Sequence, residues 1–565
     1  MAQSFSKGRA VTRSQLVGDL RFGAVAALAT FAVSSVPYLY GLFASPSGRV
    51  YLGLLFDAPD HAQYWSWVTA SRDGLFISNT MTPEPNAAIF LNPIMWALAR
   101  LQVLFDLSFA ALFQWWRIAA ALVMGPALAV ITRLLSRGRT QARTAFWVAL
   151  LGGGFGWMLV AAKYAGRLSD APFPEAIYTV EPNTWFGLLA YPYLPLAQGF
   201  MLIALIGAFR AHLSGGSSSY AVCAAGALGV ALVHAYDLVV VYVVLGAFCC
   251  LETWRARRIP RRLVAATAVA LVVSAPLAFY YQHLTSTDPL WRSVLSQYVN
   301  AGVWTPIPPL LVVLLGAPLV LAAARLKGAD WNDVRMRFAI CWALVGTVLV
   351  YTPTVFQVKL LAAWQVPLAV LAVDYWYERA VPWIAHAAKR LGAAPRVAGW
   401  APTVVLAALI LPTNLYLFAW RLVELRRPDA SYYLTVDEAA ALDVLAAQSL
   451  PNDVALAVED VGRWIPNYGQ TRAFLAHWAM TNQYLRRRDE VRAFFSTEVD
   501  DRWRARLLAA DGVTLVLWTA RAEGTGLNYR PSTSPLFEPL FEAPTAAVFR
   551  VRAVSQAQVS QVRND

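Results

Sequence analysis

Residues 220–252 read YAVCAAGALGVALVHAYDLVVVYVVLGAFCCLE, and the way this stretch is threaded decides the fold. A helix that crosses a bilayer needs roughly 20 apolar residues. The run is therefore too long for one crossing and short for two. "SGGSSS" (214–219) precedes it and "RARRIPRR" (255–262) follows it. Basic loops collect on the cytoplasmic side of membrane proteins, and both flanks read as cytoplasmic. The chain must go in and come back. The polar turn "HAYD", His234 to Asp237, then lies at or below the outer surface.

Composition agrees. The chain has 565 residues, 58% hydrophobic and 14% charged, against about 25% charged in soluble domains. Mean hydropathy is +0.47. The 22 Trp and 23 Tyr suit aromatic belts at the membrane interfaces. Long apolar stretches between short basic loops call for helices rather than barrel strands. The net charge of +13 lies largely in those loops. Positive-inside topology explains it, and membrane lipids with anionic headgroups are the expected partners, not nucleic acid. The four cysteines, Cys223, Cys249, Cys250 and Cys341, all sit in apolar segments without zinc-site spacing and read as buried thiols.

Candidate spans fall near 22–42, 110–134, 145–162, 186–209, 263–281, 305–325, 338–352, 360–377 and 399–420, besides the pair in 220–252. The N-terminal stretch 1–21, with Lys7, Arg9, Arg13 and Arg21, reads as a cytoplasmic tail before an uncleaved first helix. "SRGRTQAR" (136–143) is cytoplasmic by the same rule, so an even number of spans separates the two. Segment 87–103, "AAIFLNPIMWALARLQV", would make the count odd. It holds Pro93 and Arg100 and follows polar "TMTPEPN", so it is demoted to an interfacial or re-entrant helix. "RLKGADWNDVRMR" (325–337) and "AAKRLGAAPR" (387–396) then fall on the same side as the other basic loops. The expected architecture is a polytopic α-helical membrane protein of about 11 transmembrane helices. It comprises the tail, a transmembrane domain over 22–421 with a large first outer loop at 43–109, and an extracytoplasmic domain over 422–565. In the last segment charge rises, and strand-like runs such as "VALAV" and "VTLVLW" alternate with helical stretches such as "DDRWRARLLAA", which predicts a small α/β domain. There is no Walker loop, dinucleotide glycine fingerprint or H-E-x-x-H, which argues against an ATP-driven pump.

Unusual polar residues collect in the outer loops. The first holds Asp57, Asp60 and Glu84; the second, about 163–185, ends on "VEPNTW" with Glu181. "STDPLWRSV" (286–294) and "TPTVFQVK" (352–359) belong to the third and fourth. Asp57 and Asp60, with Pro59 between them, have the spacing of a helix start, Asp57 as N-cap and Asp60 near the positive end of the dipole. Tyr64, Trp65 and Trp67 read as interface anchors or as sugar-stacking platforms. Glu84 is a turn residue or a ligand, and Glu181 a helix cap or a site residue. His234 and Asp237 either close their turn on each other or make a polar floor for a substrate. Arg117 either snorkels or meets a phosphate. Lys359 stands at the wrong helix end for the dipole and on the wrong side for positive-inside, which favours a lipid phosphate partner. His477, in "LAHW", reads first as a core histidine.

The stretches "DHAQYWSWVTASRDGLFISNTMTPEP", "VEPNTWFGLLAYPYLPLA", "HAYD", "DPLWRSVLSQ", "FQVKLLAAWQVPLA" and "IPNYGQTRAFLAHWAMT", in this order and topology, resemble the GT-C superfamily of integral-membrane glycosyltransferases. Within it the chain is similar to a bacterial branch related to mannosyltransferase-like and family-39-like proteins. Two positions depart from the pattern: Tyr193 stands where a histidine would follow the proline, and "FQVK" lacks a preceding arginine. The resemblance implies a sugar donor linked to a polyprenyl phosphate and an acceptor on the outer side, be it envelope glycan, lipid or protein. It implies inversion at the anomeric carbon, and it matches Asp60, with Asp57 beside it, to the catalytic position as base or metal ligand. Glu84, Arg117, Glu181, His234, Asp237 and Lys359 are the expected substrate-binding groups. The cofactor that such chemistry admits is a divalent cation, Mg2+ or Mn2+. The expected location is the bacterial inner (plasma) membrane, multi-pass, with the N-terminus cytoplasmic. Two rival classes stay open: a flippase or transporter of lipid-linked glycans, and a non-catalytic scaffold of an envelope complex.

Overall fold

The computed structural model describes residues 13–170, 172–297, 308–354, 356–427 and 431–552. Lys7 and Arg9 of the expected tail, and positions 298–304 of the third outer loop, lie outside the described residues. The chain divides into two compact units. One comprises Met1–Val36, Trp115–Phe279 and Asn300–Trp420, the other Pro37–Gln114, Tyr280–Val299 and Arg421–Asp565. The first is helical in its described residues; the second is mixed and carries the described strands.

Among the described residues, six helices are long and apolar enough to cross a membrane, and nine when each of three bent pairs counts as one span. The quoted stretch 220–252 is indeed two helices, Ser217–Val233 and Asp237–Ala256, joined at His234. Ser217–Val233 has 17 residues and Val334–Leu349 has 16, about 25 Å each at 1.5 Å per residue. Both fall short of a straight crossing of about 30 Å, which is why the long spans number fewer than the expected eleven. Segment 87–103 forms a short strand, Phe90–Leu91, then a helix, Pro93–Phe105, capped by Asn92. Its 13 residues are too few for a span.

Small residues let the helices of the first unit approach closely, as in membrane bundles generally. A Cβ on Gly226 would lie 2.2 Å from the Ala204 backbone nitrogen, and one on Gly207 would lie 2.3 Å from that of Cys223. The helices Tyr193–Ser214 and Ser217–Val233 therefore meet backbone to backbone. Charges inside apolar helices are paired. Arg337 clasps Glu252 through two bonds of 2.6 and 3.1 Å, and His212 lies 3.2 Å from the same carboxylate.

The second unit is organised round a five-stranded sheet. Its order is Arg472–Ala473, Val454–Ala457, Val513–Thr519, Ala546–Val551, Phe537–Glu542. The first three strands are parallel and the last two pairings antiparallel. Strand residues Val454, Leu456, Val516 and Phe549 pack with Phe494, Phe495, Leu507 and Leu508 of the helices Tyr484–Phe495 and Asp501–Ala510. Thr435 and Glu438 close a capping box on the helix Val436–Gln448. This satisfies orphan N–H groups at its start. A second, two-stranded antiparallel sheet pairs Arg49–Tyr51 with Tyr433–Thr435. Within this unit the segment 43–109 and the C-terminal segment therefore share a backbone ladder.

Candidate functional site

Asp57 and Asp60 open the helix Ala58–Ala70. Asp57 is its N-cap, in a left-handed conformation at φ 42°, and its carboxylate accepts from the Asp60 N–H at 3.5 Å. Aspartate is one of the few residues that tolerates that region, because its short side chain bonds locally. His61 Nδ1 donates to the Asp57 carbonyl at 2.9 Å, a second bond at the start of the helix. Upstream, the Leu54 carbonyl accepts from Tyr51 and the Leu55 carbonyl from Arg421, both at 2.9 Å. Arg421 is itself buried, stacked over Phe56 and paired with Glu424 at 2.9 Å. Burial pushes the Tyr432 hydroxyl pKa up, and the nearby Glu424 and Asp57 carboxylates push it the same way. Upstream, the acidic segment is thus held by Tyr51 of its own loop and by Arg421 of the same unit.

The Asp60 carboxylate is about a quarter exposed, at 25%, and its Oδ1 lies 3.2 Å from Nε2 of His477. His477 is buried at 1%. Its other ring nitrogen, Nδ1, accepts from the backbone N–H groups of Ala479 and Met480 at 3.1 and 3.2 Å. A nitrogen that accepts from two N–H donors carries no proton. Nε2 therefore bears it, and His477 is the donor to Asp60. The expectation of a core histidine is met in burial, and the same side chain reaches the candidate site. "LAHW" carried no signal for that, because 417 positions separate the partners.

Glu84 is joined to this region through the same loop. It accepts from Thr82, from Arg487 at 3.0 Å and from Asn482 at 3.2 Å. Burial raises its carboxyl pKa, but the Thr82 hydrogen bond and the Arg487 guanidinium outweigh that and hold it below the usual carboxylate range. Arg487 is clamped on its other side by Asp511 at 2.6 Å. Glu84 is therefore a partner within this unit rather than a solvated turn residue.

The remaining candidates lie in the helical unit. Lys359 and Glu181 form an ion pair at 2.7 Å, with side chains only 13% and 7% exposed. Neither is a simple cap: Asn183 caps the helix Thr184–Ala190 in place of Glu181. His234 Nδ1 stands 3.0 Å from the buried Asp237 carboxylate, close in distance but not aligned as a hydrogen bond. Tyr236 in the same turn stacks near Phe356 at 4.8 Å, three residues before Lys359. Arg117 does not snorkel. It is fully buried and donates to the Leu188 carbonyl at 2.9 Å and to the hydroxyls of Ser35 and Ser34 at 3.1 and 2.5 Å. Of the aromatics beside Asp60, Trp65 is buried against Phe109 and Phe113, a packing role in place of an interface anchor.

Among the described residues, no three His, Cys, Asp or Glu groups converge to hold a metal ion. His477 is an ill-suited second ligand beside Asp60, since both ring nitrogens are already engaged.

The fold is that of the GT-C glycosyltransferases, and the chain is a multi-pass membrane protein. No protein-family model and no curated protein sequence matches it. Among solved structures, it is similar to the mycobacterial arabinofuranosyltransferase AftD, with a TM-score of 0.54 and 16% identity. That likeness covers 94% of this chain but 42% of AftD, so the chain spans less than half of that protein's length. It is also similar to ArnT from Cupriavidus metallidurans bound to undecaprenyl phosphate, at a TM-score of 0.47, 14% identity, and 93% and 98% coverage of this chain and that one. The archaeal oligosaccharyltransferase AglB from Archaeoglobus fulgidus, in complex with an inhibitory peptide and a dolichol-phosphate, gives 0.44, 14%, 88% and 70%.

Proposed function

We propose that this protein is a glycosyltransferase that moves a sugar from a polyprenyl-phosphate-linked donor to an acceptor outside the membrane, with inversion at the anomeric carbon. The observation that carries this reading is Asp60: a partly exposed carboxylate at the rigid start of a helix, oriented by a buried histidine of defined tautomer. The GT-C fold supports it.

In the proposed step the acceptor nucleophile attacks the anomeric carbon from the face opposite the phosphate. A new carbon–acceptor bond forms as the carbon–oxygen bond to phosphate breaks. The lipid phosphate leaves with the bonding electron pair. Asp60 takes the acceptor's proton as it attacks, which such a base speeds by about 10²–10⁴-fold. Charge developing on the phosphate calls for a cation. The acceptor is an envelope glycan, lipid or protein, and the proposed location is the bacterial inner membrane. The alternative role of the Asp60 carboxylate is as ligand of a divalent cation, Mg2+ or Mn2+; among the described residues no group of three His, Cys, Asp or Glu side chains stands ready to hold one.

The test is transfer from a panel of polyprenyl-phosphate sugars by the full-length protein in nanodiscs, with extracted envelope glycans as acceptors. Asp60→Asn should lower transfer at least about 10²-fold without changing the unfolding midpoint, and chelation of the wild type separates a simple base from a metal ligand. Equal transfer by wild type and Asp60→Asn would remove Asp60 from the mechanism. Loss on chelation, restored by Mg2+ or Mn2+, would make a cation part of it.

A further inference from the structure

The loop that carries His477 is built to hold one imidazole in one orientation. Thr481 Oγ1 accepts from the N–H groups of Ala476 and His477 at 3.0 and 3.1 Å and donates to the Met81 carbonyl at 2.7 Å. Asn79 Nδ2 donates to the Met480 carbonyl at 2.9 Å, and the Asn482 N–H donates to Thr82 Oγ1 at 3.1 Å. The Ala473 N–H donates to the Thr80 carbonyl at 2.9 Å. Residues 473–482 are thus stitched along residues 79–82 of the first outer loop, in the same unit as Asp60. A buried imidazole could sit in such a loop for packing alone. Here two backbone N–H groups consume Nδ1 and force the proton onto Nε2, the atom that faces Asp60.

We propose that His477 is the positioning residue for Asp60. Its Nε2–H binds Oδ1 and fixes the rotamer of the carboxylate, so that the orientation of the base is set before substrate arrives. Such preorganisation matters because a misplacement of about 1 Å can cost about 10²-fold in rate. The C-terminal segment then acts on the chemistry directly, by setting the base. This inference rests on the reading of Asp60 as general base.

Two substitutions separate the ring's two hydrogen bonds. Gln at 477 places an N–H donor where Nε2 stands and loses the acceptor for the loop. Asn places an acceptor where Nδ1 stands and loses the donor to Asp60. We measure kcat and KM for the acceptor, together with the unfolding midpoint, for full-length His477→Gln, His477→Asn, Asp60→Asn and the double variant His477→Asn/Asp60→Asn. The expected result is that His477→Asn loses about 10²-fold in kcat at nearly unchanged KM. His477→Gln keeps kcat within about tenfold of wild type with a lower midpoint, and the double variant is no slower than Asp60→Asn alone. Wild-type kcat in His477→Asn, with Asp60→Asn inactive, would overturn the positioning role and leave the base reading standing. Wild-type kcat in Asp60→Asn would overturn both. Should His477→Asn fail to fold, His477→Gln decides. Retained kcat at a lowered midpoint is expected, and lost kcat at an unchanged midpoint overturns the proposal.

Discussion

Glu84 stands between Pro83 and Pro85, a setting that in sequence reads as an exposed turn. Arg487 converts it into a structural group, and the consequence is measurable through pH. A carboxylate whose folded pKa is depressed binds fewer protons in the folded state than in the unfolded one. Its contribution to stability is complete above the ordinary value of 4.5 and is lost as pH falls through the lower folded value. The unfolding midpoint of the wild type should therefore drop more steeply below about pH 4.5 than that of Glu84→Gln, and an identical slope would show that the pair does not link to folding. The Lys359–Glu181 pair makes a second residue-level case. Removing one partner of a buried ion pair strands the other charge and costs about 3–5 kcal/mol, whereas removing both can be close to neutral. Lys359→Met or Glu181→Gln alone should lower the unfolding midpoint, and the double variant should recover most of the loss. Additive losses would mean that each group is held by other neighbours.

The element scale shows what the sequence could reveal and where it stopped. That 220–252 holds two helices was legible because the run is too long for one span, and the break at "HAYD" is where the helices separate. The demotion of 87–103 followed from Pro93 and polar "TMTPEPN", and the Asn92 cap with Pro93 at the first turn starts that short helix. The cap role of Asp57 was legible from its spacing to Asp60. Its left-handed backbone was not, since nothing in the local sequence calls for a positive φ at this aspartate. Asp57→Asn keeps both the cap and tolerance of that region, whereas Asp57→Ala keeps neither, so Ala should destabilise by about 0.5–2 kcal/mol more than Asn in an unfolding titration. The hairpin of Tyr193–Ser214 and Ser217–Val233 is equally exacting. Gly226→Val puts a branched side chain where even a Cβ meets the Ala204 backbone. Overpacking of that kind costs about 1–3 kcal/mol or more, and a midpoint unchanged by the substitution would show that the two helices can part.

At the scale of the whole molecule, the pairings that build the candidate site are the ones a sequence hides. A three-residue strand such as Arg49–Tyr51 has no periodicity of its own, and its partner, Tyr433–Thr435, lies almost 400 positions away. The same distance hides His477 from Asp60 and Arg421 from Leu55. The C-terminal segment could nonetheless be recognised as α/β, because its sheet core draws on residues from Val454 to Val551 alone. That division leads to a test. The isolated segment 431–552 contains the whole of that core but lacks residues 79–82. It should fold round the strand Val513–Thr519, with amide exchange there slowed as in the full chain. The Phe474 amide, bonded to Ala455 inside the segment, should stay protected as well. The Ala473 and Asn482 amides, whose acceptors Thr80 and Thr82 are missing, should exchange much faster than in the full-length protein. Equal protection at those two amides would mean that the loop holds His477 in place without residues 79–82. The orientation of Asp60 would then depend on the C-terminal segment alone.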